Sequence, residues 1–235
     1  MFTKSAALES EEIKVEAKSS IGIFWGTFDP PTLAHRNMMV AAIKQCNLAK
    51  LIVAINDNAK TKKTYKTPGN QRKKMLRSML EAEYKNKMVV LCQTDFFDLS
   101  YAAVKKFFPE SKLIALVGQD SFEAYKNYIK PYDQVLVVPR GDTHAQLAKD
   151  IALLGLTNVT ILQIDKKYLN MSSTAVRAAV KNDSGIYLLE SLAAPVKKQI
   201  LAHGFFKMDL KGNEYVDKHY AAATKIQHMW RKKLG

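Results

Sequence analysis

IGIFWGTFDPPTLAH, Ile21 to His35, runs from a β-branched, buried-strand pattern into a glycine, two adjacent prolines and the opening of a helix. Gly26 lets a backbone approach a bound phosphate closely, and Pro30 and Pro31 fix the turn that follows. Thr32 and His35 then stand three residues apart where the helix begins, so both side chains are expected to face one site. An imidazole can donate a hydrogen bond to a phosphate oxygen, and the helix N-terminus adds partial positive charge.

Working outward, five more apolar runs resemble the first: KLIVAIN from Lys50, MVVLCQ from Met88, KLIALVG from Lys112, QVLVVP from Gln134 and NVTILQI from Asn158. Such runs read as buried parallel strands. Leu33 to Cys46 and Gln71 to Tyr84 carry apolar residues at helical spacing between them. This alternation predicts an α/β fold, a Rossmann-like doubly wound parallel sheet, with ligands beyond the carboxyl ends of the strands. Polar and glycine-bearing sequences follow those ends: GTFDPP, NDNAK, QTDFFD, GQDS, PRGD and SSTAVR.

Residues 1–19 are polar and aperiodic and are expected to form a tail, residues 20–206 the α/β domain, and residues 207–235 a connector with a C-terminal helix. No secretion signal or membrane-length apolar run is visible, which points to a cytoplasmic protein. The two cysteines, Cys46 and Cys92, sit in apolar contexts and read as reduced core thiols, against a disulfide framework or a zinc site. A formal charge of +14 favours anionic partners without choosing among them. Its clusters include Lys60, Lys62, Lys63 and Lys66, then Arg72, Lys73, Lys74 and Arg77. Zinc-finger spacing, RNP-type sequence and aromatic-interleaved basic repeats are absent, which disfavours nucleic acid as partner.

A second phosphate-handling element is MSSTAVRAAV, from Met171. Ser172, Ser173 and Thr174 can cap a helix and offer hydroxyls to an anion, and Arg177 lies one turn further in. By itself the segment also reads as an ordinary cap with an exposed arginine.

Together the two elements resemble the HxGH or TxGH nucleotidylyltransferases, which include nicotinate and nicotinamide mononucleotide adenylyltransferases and pantetheine-phosphate adenylyltransferases. GTFDPPTLAH resembles the first signature and SSTAVR the second, ISSTxxR. VGQDSFEAYKNY resembles a GxDxxxxxxxxW element, VVPRGD an RPG element, and LAAPVKKQILAHGFF the family's C-terminal helix, while Ser100 and Tyr101 match a helix-opening Ser-Tyr pair. The resemblance spans Ile21 to about Phe206 and departs at Trp25 and Ala34, where small residues and Gly are usual. Thr32 in place of the first His is more typical of the pantetheine-phosphate and cytidylyl branches; the later matches favour the pyridine-nucleotide branch.

The resemblance implies AMP transfer from ATP to nicotinate or nicotinamide mononucleotide, with Mg²⁺ bridging the phosphates. His35, Thr32 and Arg177 take the catalytic roles, and Gly26, Thr27, Phe28, Gly118, Asp120, Ser172, Ser173 and Thr174 the nucleotide site. Tyr128 stands where a ring-stacking Trp is usual, and Arg140 and Lys63 are candidate substrate contacts. Other readings keep the enzyme class with a phosphopantetheine or polyol phosphate acceptor, or make the chain a weakened nucleotide-binding fold acting through its tail.

That tail, AAATKIQHMWRKKLG, has apolar and basic residues at helical spacing. IQHMWR resembles the beginning of an IQ motif, with Ile226, Gln227, Trp230 and Arg231 as calmodulin contacts. Lys232 stands where Gly is usual. The competing reading packs this helix on the domain or in a homo-oligomer. Calmodulin binding would imply a eukaryotic cytoplasm, reached natively or by delivery of a bacterial protein into a host.

Overall fold

Each of the six apolar runs forms a strand in the computed structural model, which describes residues 15–56, 67–92, 99–181 and 190–206. The strands are β1 (Ser20–Gly26), β2 (Lys50–Ile55), β3 (Met88–Cys92), β4 (Lys112–Gly118), β5 (Gln134–Val138) and β6 (Val159–Ile161). They hydrogen-bond in the order β3-β2-β1-β4-β5-β6, every pair parallel. The doubly wound sheet expected from the sequence is therefore present, with its change of winding direction between β1 and β4.

Alternation along the strands divides the core. Phe24 on β1 and Leu51, Val53 and Ile55 on β2 point to one side, while Ile21, Ile23, Ile52 and Ala54 point to the other. The first side packs against α1 (Leu33–Gln45) and α2 (Gly69–Ser78) through Met38, Met39, Met75 and Leu76. A short α3 (Ala82–Lys85) follows there. The second side packs against α4 (Tyr101–Phe107), α5 (Gln119–Ile129) and α6 (His144–Leu153) through Val104, Phe122, Ile129 and Leu147. Two later helices, α7 (Ser173–Lys181) and α8 (Ala194–His203), return to the first side with Val176, Val196 and Ile200. Gly204 closes α8 in the left-handed conformation, φ 61°.

The helix expected over Gln71 to Tyr84 is two helices, broken around Met79 to Glu81. Met75, Leu76, Met79, Leu80 and Tyr84 are buried on both sides of the break. β6 is also shorter than the run predicts, and Ile164 leaves the sheet to line the cavity described below. Cys46 is half-buried and Cys92 buried. No described helix is long and apolar enough to cross a membrane.

Candidate active site

At the carboxyl ends of β1, β4 and β5, three helix starts surround a cavity of about 360 Å³. Its wall includes Gly26, Thr27, Phe28 and His35 from the β1–α1 turn, Gly118 and Asp120 from the start of α5, Arg140 after β5, and Ser172, Ser173, Thr174 and Arg177 from α7. Aligned N-termini present unpaired N–H groups and partial positive charge, a surface suited to phosphate.

His35 is fixed by the turn that precedes it. The Thr32 backbone N–H donates to His35 Nδ1 at 3.0 Å, and Thr32 Oγ1 lies 2.9 Å from the same nitrogen. A backbone N–H only donates, so Nδ1 holds its lone pair and the neutral ring carries its proton on Nε2. The half-buried ring meets Phe28 edge-on, 5.1 Å between centroids, with Phe24 at 6.4 Å. Burial, and secondarily the Arg140 charge, lowers its pKa from 6.5 to about 4. Thr32 itself is fully buried and lies behind His35, outside the cavity wall. The two side chains meet each other instead of sharing one open site.

Gly26 is required for a reason internal to the protein. A Cβ there would lie 2.6 Å from the Phe28 ring, whose backbone takes φ 51° and whose side chain is buried. Phe28 thus occupies the space that the sequence alone suggested for close phosphate approach. At Gly118 an added Cβ would meet nothing within 4 Å, so it is this glycine that leaves open space at the cavity wall.

The α7 segment is joined to the β1–α1 turn. Ser172 Oγ caps α7 by accepting from the Ala175 N–H at 3.1 Å. Ser173 Oγ donates to the Pro30 carbonyl at 2.8 Å, and Arg177 Nη1 donates to the Asp29 carbonyl at 2.6 Å. Arg177 Nη2 also donates to Thr174 Oγ1 at 3.1 Å. These bonds hold the two sequence elements together, although more than a hundred residues separate them.

Asp120 and Arg140 form a salt bridge with each other across the cavity mouth. The Gln119 side-chain carbonyl accepts from the Arg140 N–H at 3.0 Å and from Thr143 Oγ1 at 2.5 Å, tying the start of α5 to the loop after β5. Tyr128 is partly exposed and stands outside the cavity lining, edge-on to Trp25 at 5.9 Å. Lys60, Lys62, Lys63 and Lys66 lie outside the described residues, as do the proposed calmodulin contacts Ile226, Gln227, Trp230 and Arg231.

The Cytidylyltransferase-like family model matches residues 23–179, a span that contains both phosphate elements and the whole cavity wall. The chain belongs to the Cytidylyltransferase-like family. Among relatives, a probable nicotinate-nucleotide adenylyltransferase of Chlorobium phaeobacteroides is 23% identical over 80% of this chain and 98% of the relative. Another, from Listeria welshimeri, is 26% identical over 70% of this chain and 88% of the relative. The fold is shared with Plasmodium falciparum nicotinic acid mononucleotide adenylyltransferase in complex with NaAD, at TM-score 0.62 and 18% identity over 80% of this chain and 97% of that one. The same enzyme complexed with APC gives TM-score 0.62 at 17% identity, with the same coverage.

Within this Cytidylyltransferase-like site, sequence reasoning missed several wall residues, among them Trp25, Met38, Gln119, Ile164 and Tyr168. Trp25 was visible only as a departure from a small-residue position. Arg72 belongs to one of the basic clusters of the sequence and is buried. Its Nε donates to the Thr67 carbonyl at 2.9 Å, and its Nη1 to the carbonyls of Thr27 at 2.5 Å and Asn56 at 3.0 Å. A buried guanidinium with carbonyl partners is satisfied as a core group. A run of four basic residues on one helix gave no local sign that one of them turns inward.

Proposed function

We propose that this protein transfers AMP from ATP to nicotinate or nicotinamide mononucleotide, releasing pyrophosphate and forming a dinucleotide. The observation that carries the reading is the meeting of His35 with Ser173, Thr174 and Arg177 at one cavity beside the β1/β4 switch point. Family membership gives the reaction class, and the names of the relatives support the acceptor.

In this reaction an oxygen of the acceptor phosphate attacks the α-phosphorus of ATP in line. The bond from that phosphorus to the bridging β-phosphate oxygen breaks, and the electron pair leaves with pyrophosphate. No protein nucleophile is needed; the protein brings together two polyanions and stabilises the charge of the transition state. His35 donates from Nε2 to the α-phosphate, the atom left available once Nδ1 is held by Thr32. The ring does so as the neutral imidazole, because a proton on Nδ1 would oppose the Thr32 N–H that holds it. Thr32 acts through His35 as a positioning residue. The start of α7, with Arg177, takes the leaving pyrophosphate.

Among the described residues no three His, Cys, Asp or Glu side chains converge to hold a metal ion. They form no protein cage for Mg²⁺, and the reading has the cation arrive on the triphosphate as part of the substrate. The reading has the protein act in the cytoplasm, where ATP is available as co-substrate.

The test is pyrophosphate release from ATP with nicotinate mononucleotide, nicotinamide mononucleotide, phosphopantetheine and a polyol phosphate offered separately. Turnover with a pyridine mononucleotide at least tenfold above the other acceptors is expected. Preference for phosphopantetheine or the polyol phosphate would overturn the acceptor, and silence across the panel would overturn the activity.

A further inference from the structure

The acceptor's ring is expected to need a flat partner, and the residue at the family's ring-stacking position, Tyr128, is outside the cavity lining. Trp25, from the end of β1, is in that lining. Its side chain belongs to the α5 side of the sheet, while Phe24, Phe28 and His35 group on the α1 side. The cavity is therefore bracketed by an indole on one side and the phosphate-directed imidazole on the other.

Trp25 is also held in place. It meets Tyr128 at 5.9 Å and Tyr132 at 5.5 Å between centroids, with interplanar angles of 79° and 82°. Tyr132 is buried, donates its hydroxyl to the Leu99 carbonyl at 3.1 Å, and meets Tyr101 edge-on at 5.4 Å. Edge-to-face contacts of this kind orient a ring as well as bury it. Beside it, the missing side chain of Gly118 leaves room at the wall.

We propose that Trp25 is the specificity-determining aromatic of the acceptor pocket, stacking on a cationic heteroaromatic ring, and that Tyr128 props Trp25 without touching the acceptor. This rests on the adenylyltransferase reading above and names the residue that selects its acceptor. A pyridinium ring linked to ribose phosphate is flat and positively charged, and indole is the side chain that best receives such a cation on its face. A flexible aliphatic acceptor gains neither stacking nor cation–π attraction there.

The chain has two tryptophans, Trp25 and Trp230, so Trp230→Phe leaves Trp25 as the only indole. Titrating that variant with nicotinate mononucleotide should quench its tryptophan fluorescence, and ribose 5-phosphate, which lacks the ring, should not. Trp25→Leu should raise the KM for nicotinate mononucleotide about tenfold or more while the KM for ATP changes less than about threefold. Trp25→Phe, which keeps a flat face, should recover most of that loss, and Tyr128→Leu should have a smaller effect than Trp25→Leu. No quench by the ringed ligand, or a larger KM effect at Tyr128 than at Trp25, would overturn the assignment. Fluorescence reads binding without turnover, so failure of the adenylyltransferase reading is told apart: the acceptor panel would then be silent while the titration still reports on Trp25.

Discussion

Thr32 holds His35 through its backbone: the Thr32 N–H donates to Nδ1 at 3.0 Å, and this single bond settles which imidazole nitrogen can face a substrate. Replacing His35 with Ala should leave the fold intact and lower kcat about 100- to 1,000-fold, the scale for losing one transition-state donor. Thr32→Val keeps the backbone N–H and removes only the hydroxyl, so it should retain far more activity than His35→Ala. Steady-state pyrophosphate release measures both. Equal losses in the two variants would show that the hydroxyl itself touches the substrate.

The same ring makes stability depend on pH. Its folded-state pKa, about 4, lies below the ordinary 6.5, so folding favours the neutral form. The contribution is fully present above pH 6.5 and is lost as the pH falls from 6.5 toward 4, on the order of 3 kcal/mol. Thermal unfolding of the wild type and of His35→Gln between pH 7.5 and 4.5 should show the wild type losing more stability on acidification. Parallel curves would mean the ring titrates as freely as in the unfolded chain.

Gly26→Ala tests the fit of Phe28. The new Cβ would lie 2.6 Å from a buried ring, and overpacking of that kind destabilises by about 1–3 kcal/mol. Phe28→Leu in the same chain should relieve part of the clash, so the double variant should be more stable than the sum of the two changes predicts. Simple additivity in denaturant unfolding would argue against the contact.

Arg72 joins the ends of β1 and β2 to the start of α2 by donating to the carbonyls of Thr27, Asn56 and Thr67. Arg72→Met removes those charge-assisted donors and should destabilise the fold by about 3–5 kcal/mol. Because Thr27 lines the cavity, ATP affinity measured by calorimetry should also fall. Arg72→Lys should rescue little, since an ammonium lacks the fork that reaches three carbonyls at once. Rescue by Lys would show that charge alone matters at this position.

The sequence by itself determined the sheet: six apolar runs separated by helical patterns became six parallel strands, because strand burial and helix spacing are local signals. It also offered Ser172, Ser173 and Thr174 as helix caps, of which Ser172 caps α7, and put His35 at the opening of α1, since caps are read within a few residues. Only the tertiary structure decided what these groups meet. Arg177 reaches back to Asp29, Asp120 pairs with Arg140, Arg72 turns inward, and Trp25 takes the cavity wall while Tyr128 stands behind it. Those outcomes depend on contacts between residues far apart in the chain, and periodicity, which records only which face of an element is buried, carries no information about the partner across the sheet.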